Sequence, residues 1–492
     1  MKSENKEKRT IERLKPLTAR VGIIGVGHHT YWDQFEGLLD QMHKKLQVFE
    51  NMVAVNHVET VNFGLSDRAE TAFQIVPKIK AANIDLLFID MLTYATSSSI
   101  AKVFNEIKVP MVMVALQPSN GLDYERASTH EELFNDDICA VPEFMNVAIR
   151  FGQPIPDLVI GRLHDDENTK EEIKEYCQIA KVLHSIKNAR IAQMGHVLET
   201  MFDMHTDSTL FAATFGCHVV QTEPDDVMVH YKNADTREIE EYKESIVEFF
   251  DFPDPGSDPI TEKLNPEDLE TAARVGVALK HFIEEKNLDG LAYYYEAEPE
   301  SEMRKMVTNF IVGNSLLTAA GFPMCGEMDL KTCIAMMIMD RLEMGGSFAE
   351  FHPIDFKEGF VLVGHDGPHH INISQGKPVL RSLKKYHGKP GHGASVEFKI
   401  KEGPITMLAV AQKADAAFKF IVAEGESRSG PIPPTGNTNT RGFFKPEVKT
   451  FLKRWFHEGP THHFALGIGH RAAAIKKIGD FLNVETVIIP TE

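Results

Sequence analysis

The sequence predicts two parallel-sheet α/β domains followed by a C-terminal antiparallel, barrel-like β domain. Three observations predict it. First, "RVGIIGVG" (20–27), "NMVAVNHVET" (51–60), "IDLLFIDML" (84–92) and "VPMVMVAL" (109–116) are short continuous apolar runs. The helix-spaced stretch "RAETAFQIVPKIKAAN" (68–83) separates two of them. Apolar runs alternating with helices are the pattern of a parallel sheet covered on both faces, as in doubly wound, Rossmann-like or flavodoxin-like sheets. Second, the pattern restarts at "NARIAQMGHVLETMFDM" (188–204), a strand running into a Gly-led turn. "TLFAATFGCHVVQTEPDD" (209–226) follows, then a charged helix near 236–250 and the Pro/Gly/Asp loop "DFPDPGSDPI" (251–260). The amphipathic helix "PEDLETAARVGVALKHFIEEKN" (266–287) and the strand in "LDGLAYYYEAEP" (288–299) complete this block. Third, beyond 345 come "GFVLVGHDG", "HHINIS", "ASVEFKI" and "ITMLAVAQ", short runs with turn signals between them that predict antiparallel strands. "GPIPPTGNTNTRGFF" (430–444) reads as an ordered loop. The expected domains are 1–188, 189–344 and 345–492.

Composition narrows the function. The 492 residues are too many for one ordinary core and carry a formal charge of −19. That charge disfavours a nucleic-acid backbone or an anionic membrane as partner, and suits a small neutral ligand or a bound cation. The charged start "MKSENKEKRTIERLKPLTAR" has no apolar core of a signal peptide, and no run approaches a membrane span. Five scattered cysteines without a CxxC pair read as reduced thiols, so a cytoplasmic location is expected.

In parallel sheets, ligands bind at the carboxyl ends of the strands. This puts "GVGHHTY" (25–31) on a binding rim, but the GxGxxG of a dinucleotide site is missing. Four other places share one grammar: a metal-capable side chain ending an apolar segment beside Gly or small residues. They are Glu327 in "CGEMDLKTC", Glu350 in "GGSFAEF", His365 in "VLVGHDG" and the pair His462–His463 in "EGPTHHFALG". Two carboxylates with two imidazoles suit a hard-to-borderline divalent ion, Mn²⁺, Co²⁺, Fe²⁺ or Zn²⁺. Each also has a plainer reading. A Glu after Gly can complement a helix N-terminus, a His at a strand end can serve a turn, and two more His-His pairs occur at 28–29 and 369–370.

The order "GEMDLKT", "GGSFAEF", "VLVGH", "THHFALG" resembles the L-arabinose isomerase and L-fucose isomerase superfamily. "MGHVLETM", "ATFGCHVVQTEPDDV" and "VPEFMNVAIRFG" extend the likeness along most of the chain. The resemblance implies that Glu327, Glu350, His365 and His463 hold a divalent metal, Mn²⁺ foremost, and that His462 sits beside the ligand. It implies aldose–ketose isomerisation through a metal-chelated enediol, with Glu327 and Glu350 as acid/base. It further implies a trimer or hexamer in which active sites are shared. His28 stands where arabinose isomerases have Gln, and Ile149 and Gly152 stand where they have a sugar-contacting Gln and His. The metal centre is therefore kept and the sugar pocket rewritten. Expected sugar contacts are His28, Tyr31, Arg150, His196, Glu199 and His462, for each of which a structural role competes. Asp329 and Lys331 read as supporting or helix-capping groups. Two other functions stay open: a metal-dependent glycoside hydrolase or epimerase on the same scaffold, and a non-catalytic sugar-binding protein.

Overall fold

The structure, a computed structural model, describes residues 11–154, 156–198, 200–257, 259–383 and 393–492. Two compact units result: Leu17–Ser185, and Ile186–Glu492 together with the N-terminal stretch up to Pro16.

The first unit is built on five parallel strands, β1 (Arg20–Val26), β2 (Glu59–Ser66), β3 (Leu86–Met91), β4 (Met111–Gln117) and β5 (Asp157–Arg162). They lie in the order β2-β1-β3-β4-β5. Strands β1, β3 and β4 are buried almost residue by residue, which is why they read as unbroken apolar runs. The strand expected at 51–60 is displaced: residues 38–54 are helical and the strand begins at Glu59. Leu38, Met42, Leu46, Phe49 and Val53 recur at helical spacing and bury one stripe, so the apolar tail of that stripe imitates a strand.

A buried charge cluster lies in this unit. The Lys45 ammonium donates to the Asp137 carboxylate and to the Leu92 carbonyl (2.7 Å). Asp90 is buried nearby, and one oxygen each of Asp90 and Asp137 has no hydrogen-bond partner among the described residues. Burial pushes Asp90 up to about 8, against the pull of Lys45, and Asp137 up to about 7. Two acids facing one ammonium in a dry site retain a proton that the unfolded chain would release above about pH 4. This contribution to stability is complete below that pH and is lost as pH rises through 7 to 8. The melting temperature of this unit is therefore expected to fall on the order of 5 °C between pH 5 and 8, since each kcal/mol is worth about 2–4 °C at this size. Asp90→Asn should flatten the profile when melting is followed by circular dichroism across that range.

The second unit holds two large sheets and a small one. Strands β6 (Arg190–Met194), β7 (His218–Thr222), β9 (Gly290–Tyr293) and β10 (Met324–Cys325) form a parallel sheet in the order β10-β9-β6-β7. Strands β11 (Gly345–Asp355), β12 (Phe360–His365), β15 (Gly403–Gln412), β16 (Phe418–Arg428), β17 (Thr438–Phe443) and β18 (Phe464–Ile468) are antiparallel. Pairing of β15 with both β16 and β18 closes them into a six-stranded barrel. Strand β19 (Glu485–Ile488) adds to β16 in parallel. Strands β8 (Thr261–Glu262), β13 (Val379–Leu383) and β14 (Ser395–Glu397) make a small separate sheet. Of the C-terminal runs, "HHINIS" is not a strand but a 3₁₀ turn over Ile371–Ile373. The reputed loop 430–444 becomes β17 in its second half.

The helix Leu330–Arg341 joins the two large sheets. Every one of its residues is buried, and it packs on β9 on one side and on β11, β15 and β18 on the other. A helix buried all round must be apolar all round except where a charge has a partner. Its charges obey that rule: Asp340 is held by Arg13, Arg341 and His370. Among the described residues no helix is long and apolar enough to cross a membrane.

Candidate metal centre and sugar pocket

Glu327 sits in the turn between β10 and the buried helix. Glu327 and Met328 both adopt left-handed backbone (φ 59° and 54°). Two successive non-glycine residues in that region cost on the order of 1–3 kcal/mol each and persist only where the surroundings impose them. The turn aims the Glu327 carboxylate into a cavity of about 210 Å³. Glu350 lies within β11, paired with Gly364 of β12. A Cβ on Gly364 would come within 1.8 Å of the Thr438 carbonyl, so the close approach of β12 to β17 next to His365 requires glycine. His365 ends β12, and the pair His462–His463 directly precedes β18.

These elements bring the four expected ligands together. His463 Nε2 is 3.5 Å from Glu327 Oε2, and His365 Nε2 is 3.9 Å from Glu350 Oε1. Ligand atoms of Glu350, His365 and His463 all lie within 4.8 Å of one another, as do those of Glu327, His462 and His463. A cation with bonds of about 2.1 Å spans ligand pairs about 3–4 Å apart, so the spacing fits. Glu327 Oε2 is buried and has no hydrogen-bond partner among the described residues. An orphaned carboxylate oxygen in a wall costs several kcal/mol unless a cation or ligand meets it. The donor set and the orphaned oxygen both fit a divalent ion.

The electrostatics agree. Burial alone would raise Glu327, yet His462, His463 and His365 draw it below the ordinary carboxylate range. Burial lowers His463, against the pull of Asp329, which favours the neutral imidazole a metal requires. His463 Nδ1 donates to Asp329 Oδ2 (3.2 Å), leaving Nε2 toward Glu327. Asp329 is fully buried; burial would raise it, but His463 and Lys331 hold it down to about 2. Its other oxygen accepts from the Thr332 amide (3.0 Å), capping the buried helix. Asp329 thus both caps the helix and holds His463, where the sequence offered a supporting or a capping role. Lys331 is also a supporting group: its ammonium donates to Met204 O, His205 O and Thr206 Oγ1 (3.2, 3.1 and 2.7 Å). His365 is fixed through its backbone: His369 Nε2 donates to its carbonyl (2.9 Å).

Around the acids and imidazoles, Met201, Val307, Phe310, Ile311 and Phe348 line the same cavity. The Phe348 ring packs on those of His365 and His463 (4.8 and 4.2 Å between centroids) and holds both in place. Polar groups converging on an apolar-walled cleft are the usual make-up of a small-molecule site.

The expected sugar contacts are distributed. His462 lines the cavity, its Nε2 3.8 Å from Glu327 Oε2. His196 is not among the lining residues; its ring stacks on Tyr294 (4.2 Å) and its Nδ1 bonds Val197 O. Glu199 lies outside the described residues. His28 and Tyr31 belong to the first unit, just past the carboxyl end of β1, and their rings meet edge to face (5.1 Å). Arg150 ends the helix Val141–Arg150 of that unit. The sequence reasoning missed Asp203, in a short 3₁₀ turn, whose Oδ2 accepts from both the backbone amide (3.0 Å) and Nδ1 (2.6 Å) of His462. No local signal marks it, because its partner lies 259 residues away.

No family model matches the chain. The L-arabinose isomerase of Serratia proteamaculans is 24% identical over 234 residues, 45% of each chain. The sulfoquinovose isomerase of Priestia megaterium is 23% identical over 226 residues, 46% of this chain and 49% of its own. The L-arabinose isomerase of Herpetosiphon aurantiacus is 21% identical over 316 residues, 62% of this chain and 61% of its own. The chain spans about half the length of the first two relatives and less than two thirds of the third. At this distance it is a remote relative of the sugar isomerases.

Proposed function

We propose that this protein is a divalent-metal-dependent aldose–ketose isomerase. The observation that carries the reading is the convergence of Glu327, Glu350, His365 and His463 on one apolar-walled cavity, with a buried Glu327 oxygen that has no hydrogen-bond partner among the described residues. When bound, the ion would act as a Lewis acid that orients a polyol and favours negative charge on its oxygens. The chain's own residues do the rest. Isomerisation takes a proton from one carbon and returns it to its neighbour, while the hydroxyl proton of one sugar oxygen passes to the other. A carboxylate within hydrogen-bond reach accepts that proton and, once protonated, delivers it. Glu327 and Glu350 are the cavity carboxylates assigned this work. His462 faces the same space and hydrogen-bonds a sugar oxygen. The apolar wall excludes water, which protects the intermediate and strengthens each polar contact.

The test uses protein stripped of metal and reloaded with Mn²⁺. It is incubated with pentoses, 6-deoxyhexoses, hexoses and simple disaccharides, and products are read by mass and NMR. A ketose of unchanged mass, absent without metal, is expected. Cleavage of a disaccharide with no ketose would replace this reading by a hydrolase on the same centre. Sugar binding without any product would replace it by a binding protein.

A further inference from the structure

We infer that Asp203 is a positioning residue that aims His462 at the sugar. The inference rests on the isomerase reading and adds to it a residue outside the metal set. Three observations carry it. One carboxylate oxygen of Asp203 accepts two hydrogen bonds from a single residue, from the His462 amide at 3.0 Å and from its Nδ1 at 2.6 Å. A carboxylate only accepts, so Nδ1 must carry the hydrogen and Nε2 is the nitrogen left for the cavity. That Nε2 points to the same space as Glu327, 3.8 Å from its Oε2. The turn carrying Asp203 is itself anchored by a buried side chain. The buried Lys331 binds the three following residues, through Met204 O, His205 O and Thr206 Oγ1.

The result is a relay of fixed positions running from the buried helix to the cavity: Lys331 holds the 204–206 segment, this sets Asp203, and Asp203 sets His462. It is the arrangement that orients the imidazole in acid–base sites: the carboxylate fixes the ring plane and tautomer and touches no substrate itself. It also separates the two adjacent histidines. His463 is oriented by Asp329 toward the metal set, and His462 by Asp203 toward the space where the sugar's oxygens would lie. Two rings 3.8 Å apart thus serve different partners because different carboxylates hold them.

The experiment compares wild type, Asp203→Ala, Asp203→Asn, His462→Ala and the Asp203→Ala/His462→Ala double variant, all Mn²⁺-loaded, on the sugar the wild type isomerises. Charge develops on the sugar oxygens only in the transition state, so the loss should fall on kcat. Asp203→Ala is expected to lower kcat about 10- to 100-fold with KM within about threefold, the usual cost of losing an orienting partner. Asp203→Asn, whose amide oxygen accepts the same two bonds, should recover most of it. The double variant should be no slower than His462→Ala, because Asp203 acts through His462 alone. Mn²⁺ affinity, titrated on metal-free protein, should match wild type in Asp203→Ala. Unchanged kcat in Asp203→Ala, further loss in the double variant, or Mn²⁺ affinity falling with activity would each overturn the inference. A wild type inactive across the panel would instead overturn the isomerase reading on which it stands.

Discussion

Glu350→Gln protein, saturated with Mn²⁺, is expected to lose about 10²- to 10⁴-fold in kcat, the range that a positioned proton carrier contributes. The amide has the carboxylate's shape and can still offer an oxygen to a cation, but it cannot take a proton from carbon. Glu350 lies within a strand and its side chain is partly open, so the fold has little reason to notice the change. Sugar affinity, measured by equilibrium binding, should stay within about tenfold, because the apolar wall and the remaining polar groups are untouched. Turnover and affinity therefore separate. Turnover kept within tenfold of wild type would remove Glu350 from the proton path and leave Glu327 as the only cavity carboxylate assigned to it.

Asp329→Ala is expected to have the largest effect on stability. One Asp329 oxygen caps the helix Leu330–Arg341 and the other receives the buried His463. Losing a cap costs about 1 kcal/mol, and stranding a buried donor costs about 1–3 kcal/mol more. Global stability should thus fall by about 2–4 kcal/mol in denaturant titrations. Mn²⁺ affinity should fall about 10- to 100-fold, since His463 loses the group that sets its tautomer. Asp329→Asn separates the two functions. Its side-chain oxygen still caps the helix, so the cap's share of about 1 kcal/mol should return, while the amide NH2 that replaces the second oxygen cannot accept from His463 and the negative charge facing that ring is gone. Mn²⁺ affinity that recovers fully in Asp329→Asn would show that the contact to His463 is steric only.

The convergence of the candidate ligands was legible for a chemical reason. Each candidate ligand lies in or directly beside an apolar strand: Glu327 just past β10, Glu350 within β11, His365 at the end of β12 and His463 just before β18. That grammar survives in sequence even when the strands are scattered over 137 positions, from 327 to 463. The parallel sheets were legible because burial on both faces leaves unbroken apolar runs. The misplaced strand at 51–60 shows the limit of that signal: the end of a buried helical stripe carries the same residues. In the same way, "HHINIS" has strand composition, but His369 and His370 are spent on buried contacts, to the His365 carbonyl and to Asp340.

Sequence alone therefore determined the fold class and the residue types that converge, since both follow from local periodicity and from what a cation will accept as a ligand. Tertiary structure decided what each side chain does there. Asp203 and Asp329 are similar carboxylates in the sequence, each near Gly, Met or Thr. Only folding brings one against His462 and the other against His463, across 259 and 134 positions. Hydrogen bonds of that span leave no trace in spacing, because the chain between their ends is set by packing and not by the bond itself.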